Sequence, residues 1–186
     1  MHTLLLNRQQ THQLLMDCIP FADQIRLEVA WARWDHPVEQ ALRQHAHAVR
    51  SFLVGTSFGR TSAALLRYWH KNHSQKFRRF PNQFGAVFHP KLYYLQHPNW
   101  SILVVGSSNL THGGLSDQAR GNEERSLVVV DGTPPLSGSV LDLRIPLIPL
   151  LTQEDTMSRS VFDGLGRRLE ARFRSDAKEL SSDWLA

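Results

Sequence analysis

Apolar positions along the chain recur with two periods that alternate. Leu14, Leu15, Cys18 and Ile19 stand at helical spacing ahead of Pro20, which predicts a helix from Gln9 to Ile19. From Gln24 to Ala32 the apolar residues Ile25, Leu27, Val29 and Trp31 fall on every second position, the pattern of a half-buried strand. Pro37 opens a second predicted helix that runs to about Val49, followed by a short strand from Ser51 to Val54 and a helix from Thr61 to His70. Phe84 to Gln96 and Ser101 to Val105 read as two strands turned by His97-Pro98-Asn99, and Arg125 to Val130 reads as a further, buried strand. Such alternation implies an α/β domain built on a central sheet.

The pattern changes after Asp131. Gly132 to Leu151 holds Pro134, Pro135, Pro146 and Pro149, a connector composition, and Arg159 to Leu180 spaces Val161, Phe162, Leu165, Leu169 and Phe173 as an amphipathic helix. The expected organisation is therefore a domain over residues 1–131, with a proline-rich connector and C-terminal helix over 132–186 that pack on it.

With 186 residues the chain buries a sizeable core without a staple, and its one cysteine, Cys18, permits no intrachain disulfide. Short apolar runs such as Ile102 to Val105 fall far below the roughly 20 residues of a membrane span. The start, MHTLLLNRQQ, lacks the basic lead-in of a secretory signal, so a cytoplasmic protein without a membrane partner is expected.

Charge is distributed unevenly. The formal net charge is +4, yet from Gln40 to Ser116 there is no Asp or Glu and there are nine Lys or Arg. A basic block of this kind suits a polyanion, because clustered cations release counterions condensed on phosphates. Arg60, Lys76, Arg78 and Arg79, with Phe80 beside them, are the candidates for nucleic-acid contact through phosphates and stacking. His45-x-His47 and His70-x-x-His73 have no neighbouring Cys or carboxylate to complete a ligand shell, so neither a metal site nor another cofactor is expected. Gly55-Thr56-Ser57-Phe58-Gly59-Arg60-Thr61 resembles a phosphate-binding loop but is one residue short between its glycines and has Arg60 in place of the lysine. Nucleotide hydrolysis is thereby excluded, although a glycine-bearing turn can still meet a phosphate through backbone N–H groups.

The segment from Phe88 to Glu124 carries the chemistry. His89-Pro90-Lys91 is followed by Ser107-Ser108-Asn109 and then by Asn122-Glu123-Glu124. Residues two apart on a strand share a face, so His89 with Lys91, and Asn122 with Glu124, project together. Three adjacent strands would bring imidazole, ammonium, hydroxyl, carboxamide and carboxylate to one point. That set suits phosphoryl transfer without a metal: His89 attacks phosphorus, Lys91, Ser107 and Asn109 bind its oxygens, and Glu124 orients the imidazole.

These residues resemble the H-x-K-x4-D-x6-G-S-x-N motif of the phospholipase D superfamily. His89 and Lys91 match its first half and Gly106, Ser107 and Asn109 its second, each half with the family's internal spacing. Val104 to Thr111, Gly113-Gly114-Leu115 and Asn122-x-Glu124 look most like its nuclease branch. The aspartate position is Gln96, a departure from the pattern. The resemblance implies a phospholipase D-like mixed β-sheet flanked by helices, with a C-terminal helical extension. It further implies a phosphodiesterase, here an endonuclease on nucleic acid (DNA more than RNA), working through a covalent phosphohistidine. One motif copy where the family's site uses two implies a homodimer with a composite site. A restriction or phage-defence setting would add a helicase or other defence-complex subunit as partner. The reading from a different class, favoured by Gln96, is a catalytically weak nucleic-acid-binding or assembly subunit.

Overall fold

A computed structural model describes residues 1–80, 87–116 and 122–137. The predicted helix Arg159 to Leu180 and most of the connector lie outside these residues.

Within them the chain forms a seven-stranded mixed sheet flanked by three helices, the α/β domain on a central sheet that the alternating periods predict. The strands are β1 (His2–Asn7), β2 (Gln24–Val29), β3 (Val49–Gly55), β4 (Phe77–Phe80), β5 (Lys91–His97), β6 (Trp100–Gly106) and β7 (Arg125–Gly132). The helices are α1 (Arg8–Cys18), α2 (Pro37–Gln44) and α3 (Ala63–His73). In space the strands run β1-β7-β6-β5-β2-β3-β4, with β2, β3 and β4 parallel and the remaining pairs antiparallel.

Register gives the sheet one dry face. Leu27 lies opposite Phe52 on β3 and Tyr93 on β5, Tyr93 opposite Val104, and Val104 opposite Val128. All five side chains are buried, and they share a core with Leu14 and Leu15 of α1, Leu42 of α2, and Leu65 and Trp69 of α3. Trp69 packs edge-on against Phe52 at 5.2 Å, which couples α3 to the sheet.

Several boundaries differ from the sequence expectation, each for a local reason. The first helix starts one residue earlier, at Arg8, because Asn7 and Gln10 form a reciprocal capping box. The third helix starts later, since the Thr61 hydroxyl donates to the Gly55 carbonyl and the Ser62 hydroxyl accepts from the Trp34 amide. The second helix stops at Gln44, where the chain turns through His45 before entering β3. Residues 87–90 are not strand: Pro90 cannot donate a ladder bond, and its carbonyl accepts from the Ala30 amide at 2.9 Å instead. The last strand is half-buried, with Leu127 48% exposed while Val128 is covered. Two strands had no signal of their own. Leu4-Leu5-Leu6 has no period until Leu5 pairs with Leu127, and Phe77–Phe80 is too short to stand apart from its pairing with β3. The first residues of the connector return to α1, where Ser137 donates from its amide and hydroxyl to Asp17 at 2.8 and 2.7 Å.

His36 ties the helical layer to the chain beyond β6. Its Nδ1 accepts from the Val38 amide at 3.2 Å, and its Nε2–H donates to the Leu115 carbonyl at 2.7 Å. Accepting at Nδ1 requires the neutral ring, and burial pushes its pKa down to about 4 although the Leu115 bond acts the other way. The unfolded chain takes up this proton near the ordinary histidine value and the folded chain only near 4. The contribution is therefore complete above about pH 6.5 and is lost as the pH falls toward 4. We expect urea unfolding to show on the order of 2 kcal/mol less stability at pH 5 than at pH 7 from this group. The decrement should shrink in His36→Asn, and an identical decrement in both chains would contradict the assignment.

Candidate active site

The site forms where strand ends meet. The C-terminal ends of β2, β3 and β6 and the N-terminal ends of β5 and β7 all reach one rim, because antiparallel neighbours start where the preceding strand stops. Lys91 begins β5, opposite Val29, and Gly106 ends β6, opposite Ser126. Lys91 shares the core-facing side with Tyr93, so its ammonium emerges from the dry face at the rim and is only 6% exposed.

Lys91 and His89 are in contact. The Lys91 Nζ lies 2.6 Å from His89 Nδ1, 2.9 Å from Nε2 and 3.0 Å from the His89 carbonyl oxygen. Burial, and then the adjacent ammonium, holds the His89 pKa below the ordinary imidazole value, which favours the neutral, nucleophilic ring. Burial also lowers Lys91, against the opposing pull of the Glu124 carboxylate.

Glu124 faces inward at 8% exposure, whereas its neighbour Glu123 points outward to a 3.1 Å ion pair with Arg125. Asn122 shares the face of Glu124 and donates to its Oε1 at 3.3 Å. The charge of Glu124 is felt by Lys91 and by the buried Tyr93, so within one chain its clearest partner is the ammonium. Arg8 holds this stretch from the other side, donating to the Asn122 carbonyl at 3.0 Å.

The Ser107-Ser108-Asn109 turn is built by its own side chains. The Ser107 hydroxyl is exposed at the rim, accepting from the Arg125 amide at 3.2 Å and reaching the Arg125 carbonyl at 3.4 Å. Asn109 is buried, and its Oδ1 accepts from the Trp31 amide at 3.1 Å. Gly114 is required here, since a β-carbon would come within 2.5 Å of the Asn109 carbonyl oxygen and 2.6 Å of its amide nitrogen.

Trp31 is the site residue that alternation alone assigned only to packing. Its ring lies 5.2 Å edge-on from His89, 5.0 Å from the Arg60 guanidinium carbon and 5.8 Å from Lys91 Nζ. Its position just past β2, bonded to Asn109, is visible only once the strands are paired. Arg8 likewise gives no sequence signal, being one arginine among many polar residues. Arg60 is thus brought to the rim through Trp31. Arg78 and Arg79 lie on β4 at the sheet edge, where Arg78 donates to the carbonyls of Ser74 and Phe77. Lys76 is not brought to the site: it precedes β4 at the opposite end, and its ammonium donates to the Ala46 and His47 carbonyls.

Gln96, which stands at the family's aspartate position, is five residues beyond Lys91 along β5, roughly 17 Å at strand rise. It occupies the hairpin end of the sheet, pairing with Gln24 and Ser101. The hairpin also puts nine residues between Gln96 and Gly106, against the family's six.

No protein-family model and no curated protein matches the chain. Among solved structures, it is similar to the phospholipase D family member Nuc from Salmonella typhimurium, at 18% identity and a TM-score of 0.46, over 76% of this chain and 91% of that one. It is also similar to polyphosphate kinase from Porphyromonas gingivalis, at 17% identity and a TM-score of 0.45, over 69% of this chain. The matched part spans 23% of that kinase. No helix among the described residues is long and apolar enough to cross a membrane.

The contact between His89 and Lys91 has a measurable consequence. Removing the ammonium in Lys91→Met should raise the pH at which the His89 ring titrates by NMR, because one of the two influences depressing it is gone. An unchanged or lower titration point would show that the two groups do not interact.

Proposed function

We propose that the chain is a metal-independent phosphodiesterase that cleaves nucleic acid, DNA more than RNA, as an endonuclease through a covalent phosphohistidine. The observation that carries this reading is the His89–Lys91 pair, an imidazole nitrogen and a buried lysine nitrogen 2.6 Å apart at the rim that also carries Ser107, Asn109 and Glu124. A ring nitrogen of His89 attacks phosphorus, and the bond from phosphorus to the leaving oxygen breaks. Lys91, with donors from Ser107 and Asn109, offsets the charge that gathers on the non-bridging oxygens. The leaving oxygen takes a proton from a second histidine. That histidine then accepts a proton from water as the water attacks, and the phosphorus–nitrogen bond breaks to restore His89.

The chain has one His-x-Lys motif, so the second imidazole comes from a second copy and the working unit is a homodimer with its site on the two-fold axis. Arg60, Arg78 and Arg79 contribute phosphate contacts along the acid-free stretch. The setting is restriction or phage defence, with a helicase or another subunit of a defence complex as partner. The alternative is a catalytically weak nucleic-acid-binding or assembly subunit of a larger defence complex, favoured by Gln96 in place of the aspartate.

Cleavage should persist in EDTA and disappear in His89→Ala without loss of fold by circular dichroism. Strict dependence on added Mg²⁺, with activity surviving His89→Ala, would remove the histidine mechanism. Copies can be mixed by refolding wild-type with His89→Ala chains. A composite site leaves about a quarter of the activity in an equal mixture, and independent sites leave about half. Binding should weaken steeply with salt, and charge reversal at Arg78 and Arg79 should flatten that slope, measured by anisotropy on duplexes of several sequences.

A further inference from the structure

The loop between β3 and α3 holds an aromatic ring in a conformation that packing does not explain. Phe58 has φ +61° and ψ +14°, in the left-handed region that bulky residues rarely adopt, and it is 68% exposed. A phenyl ring left in water on a strained backbone gains little for stability. The loop nevertheless fixes it firmly: Thr56 Oγ1 donates to the Phe80 carbonyl at 3.0 Å, and Thr61 Oγ1 to the Gly55 carbonyl at 2.7 Å, so both ends are pinned. The ring stands beside the site. Its centroid is 6.4 Å from that of Trp31, which itself lies 5.2 Å from His89 and carries the exposed Arg60 guanidinium over its ring.

A flat, solvent-facing ring next to a guanidinium, at the mouth of an acid-free basic stretch, matches a ligand that joins a π-face to an anionic backbone. In duplex nucleic acid the π-faces are covered by neighbouring bases. In a single strand they are open, and stacking on an aromatic side chain is tolerant of sequence. Resting on the phosphodiesterase reading of the same site, we propose that Phe58 is a stacking platform for an unpaired nucleobase next to the scissile phosphate, and that the substrate is single-stranded at that position.

The test uses the full chain carrying His89→Ala, so that nothing is cleaved, with anisotropy at fixed salt on oligothymidylate, an abasic strand of equal length and a matching duplex. Phe58→Gly should weaken oligothymidylate binding on the order of tenfold or more. It should leave the abasic strand and the duplex within about twofold, and Phe58→Trp should restore the loss. Thermal stability of Phe58→Gly should hold or rise, because glycine accepts the left-handed backbone without strain. A fall in stability, or an equal loss on all three ligands, would mean that Phe58 serves the fold and would overturn the proposal. Unchanged oligothymidylate affinity in Phe58→Gly, with wild-type cleavage intact, would overturn the stacking role and leave the nuclease reading standing. Failure of wild type to bind or cleave any nucleic acid would remove both.

Discussion

The buried ammonium of Lys91 constrains everything around it. A cation taken out of water is costly unless nearby dipoles and charges replace its hydration. Here the replacement comes from three directions: the His89 ring and carbonyl, the field of Glu124, and the face of Trp31. Each partner sits on a different part of the sheet rim, so holding Lys91 fixes the relative positions of the segments after β2, before β5 and before β7. Burial, and then the adjacent ammonium, hold the His89 pKa below the ordinary imidazole value, which favours the neutral ring.

The turn beyond β6 is held by a chain of small, local interactions. Asn109 is bonded to the Trp31 amide, Gly114 packs against the Asn109 backbone, and Leu115 is bonded to His36 at the head of α2. Asn109 spends its carboxamide oxygen, and His36 both ring nitrogens, on backbone groups, which makes the turn a support for the rim. The helical layer therefore does more than cover the sheet: through His36 it sets where the serine-asparagine turn stands.

Electrostatics divides the basic residues by place. Arg60 reaches the rim over Trp31, the two arginines of β4 line the sheet edge, and Lys76 closes carbonyls at the far end. An acid-free run in the sequence is thus several surfaces in space. Only the part next to His89 can act on a phosphate bound there.

The sequence by itself determined the elements with strong periods and the face that several rim residues take. β2 follows from Ile25, Leu27 and Val29, and α3 from apolar residues at helical spacing. Lys91 is inward because alternation on β5 places it with Tyr93, and Glu124 is inward because it keeps the parity of Val128 on β7. These are local facts, set by the pleat and the helix turn. Only the tertiary structure decided the rest. β1 exists because Leu5 and Leu127 pair across nearly the whole domain, and β4 because β3 offers it an edge. Trp31 entered the site, and Lys76 and Gln96 stood away from it, through strand order and strand length. Both depend on which segments hydrogen-bond to which, and that pairing is made between residues far apart in the chain, where no local pattern records it.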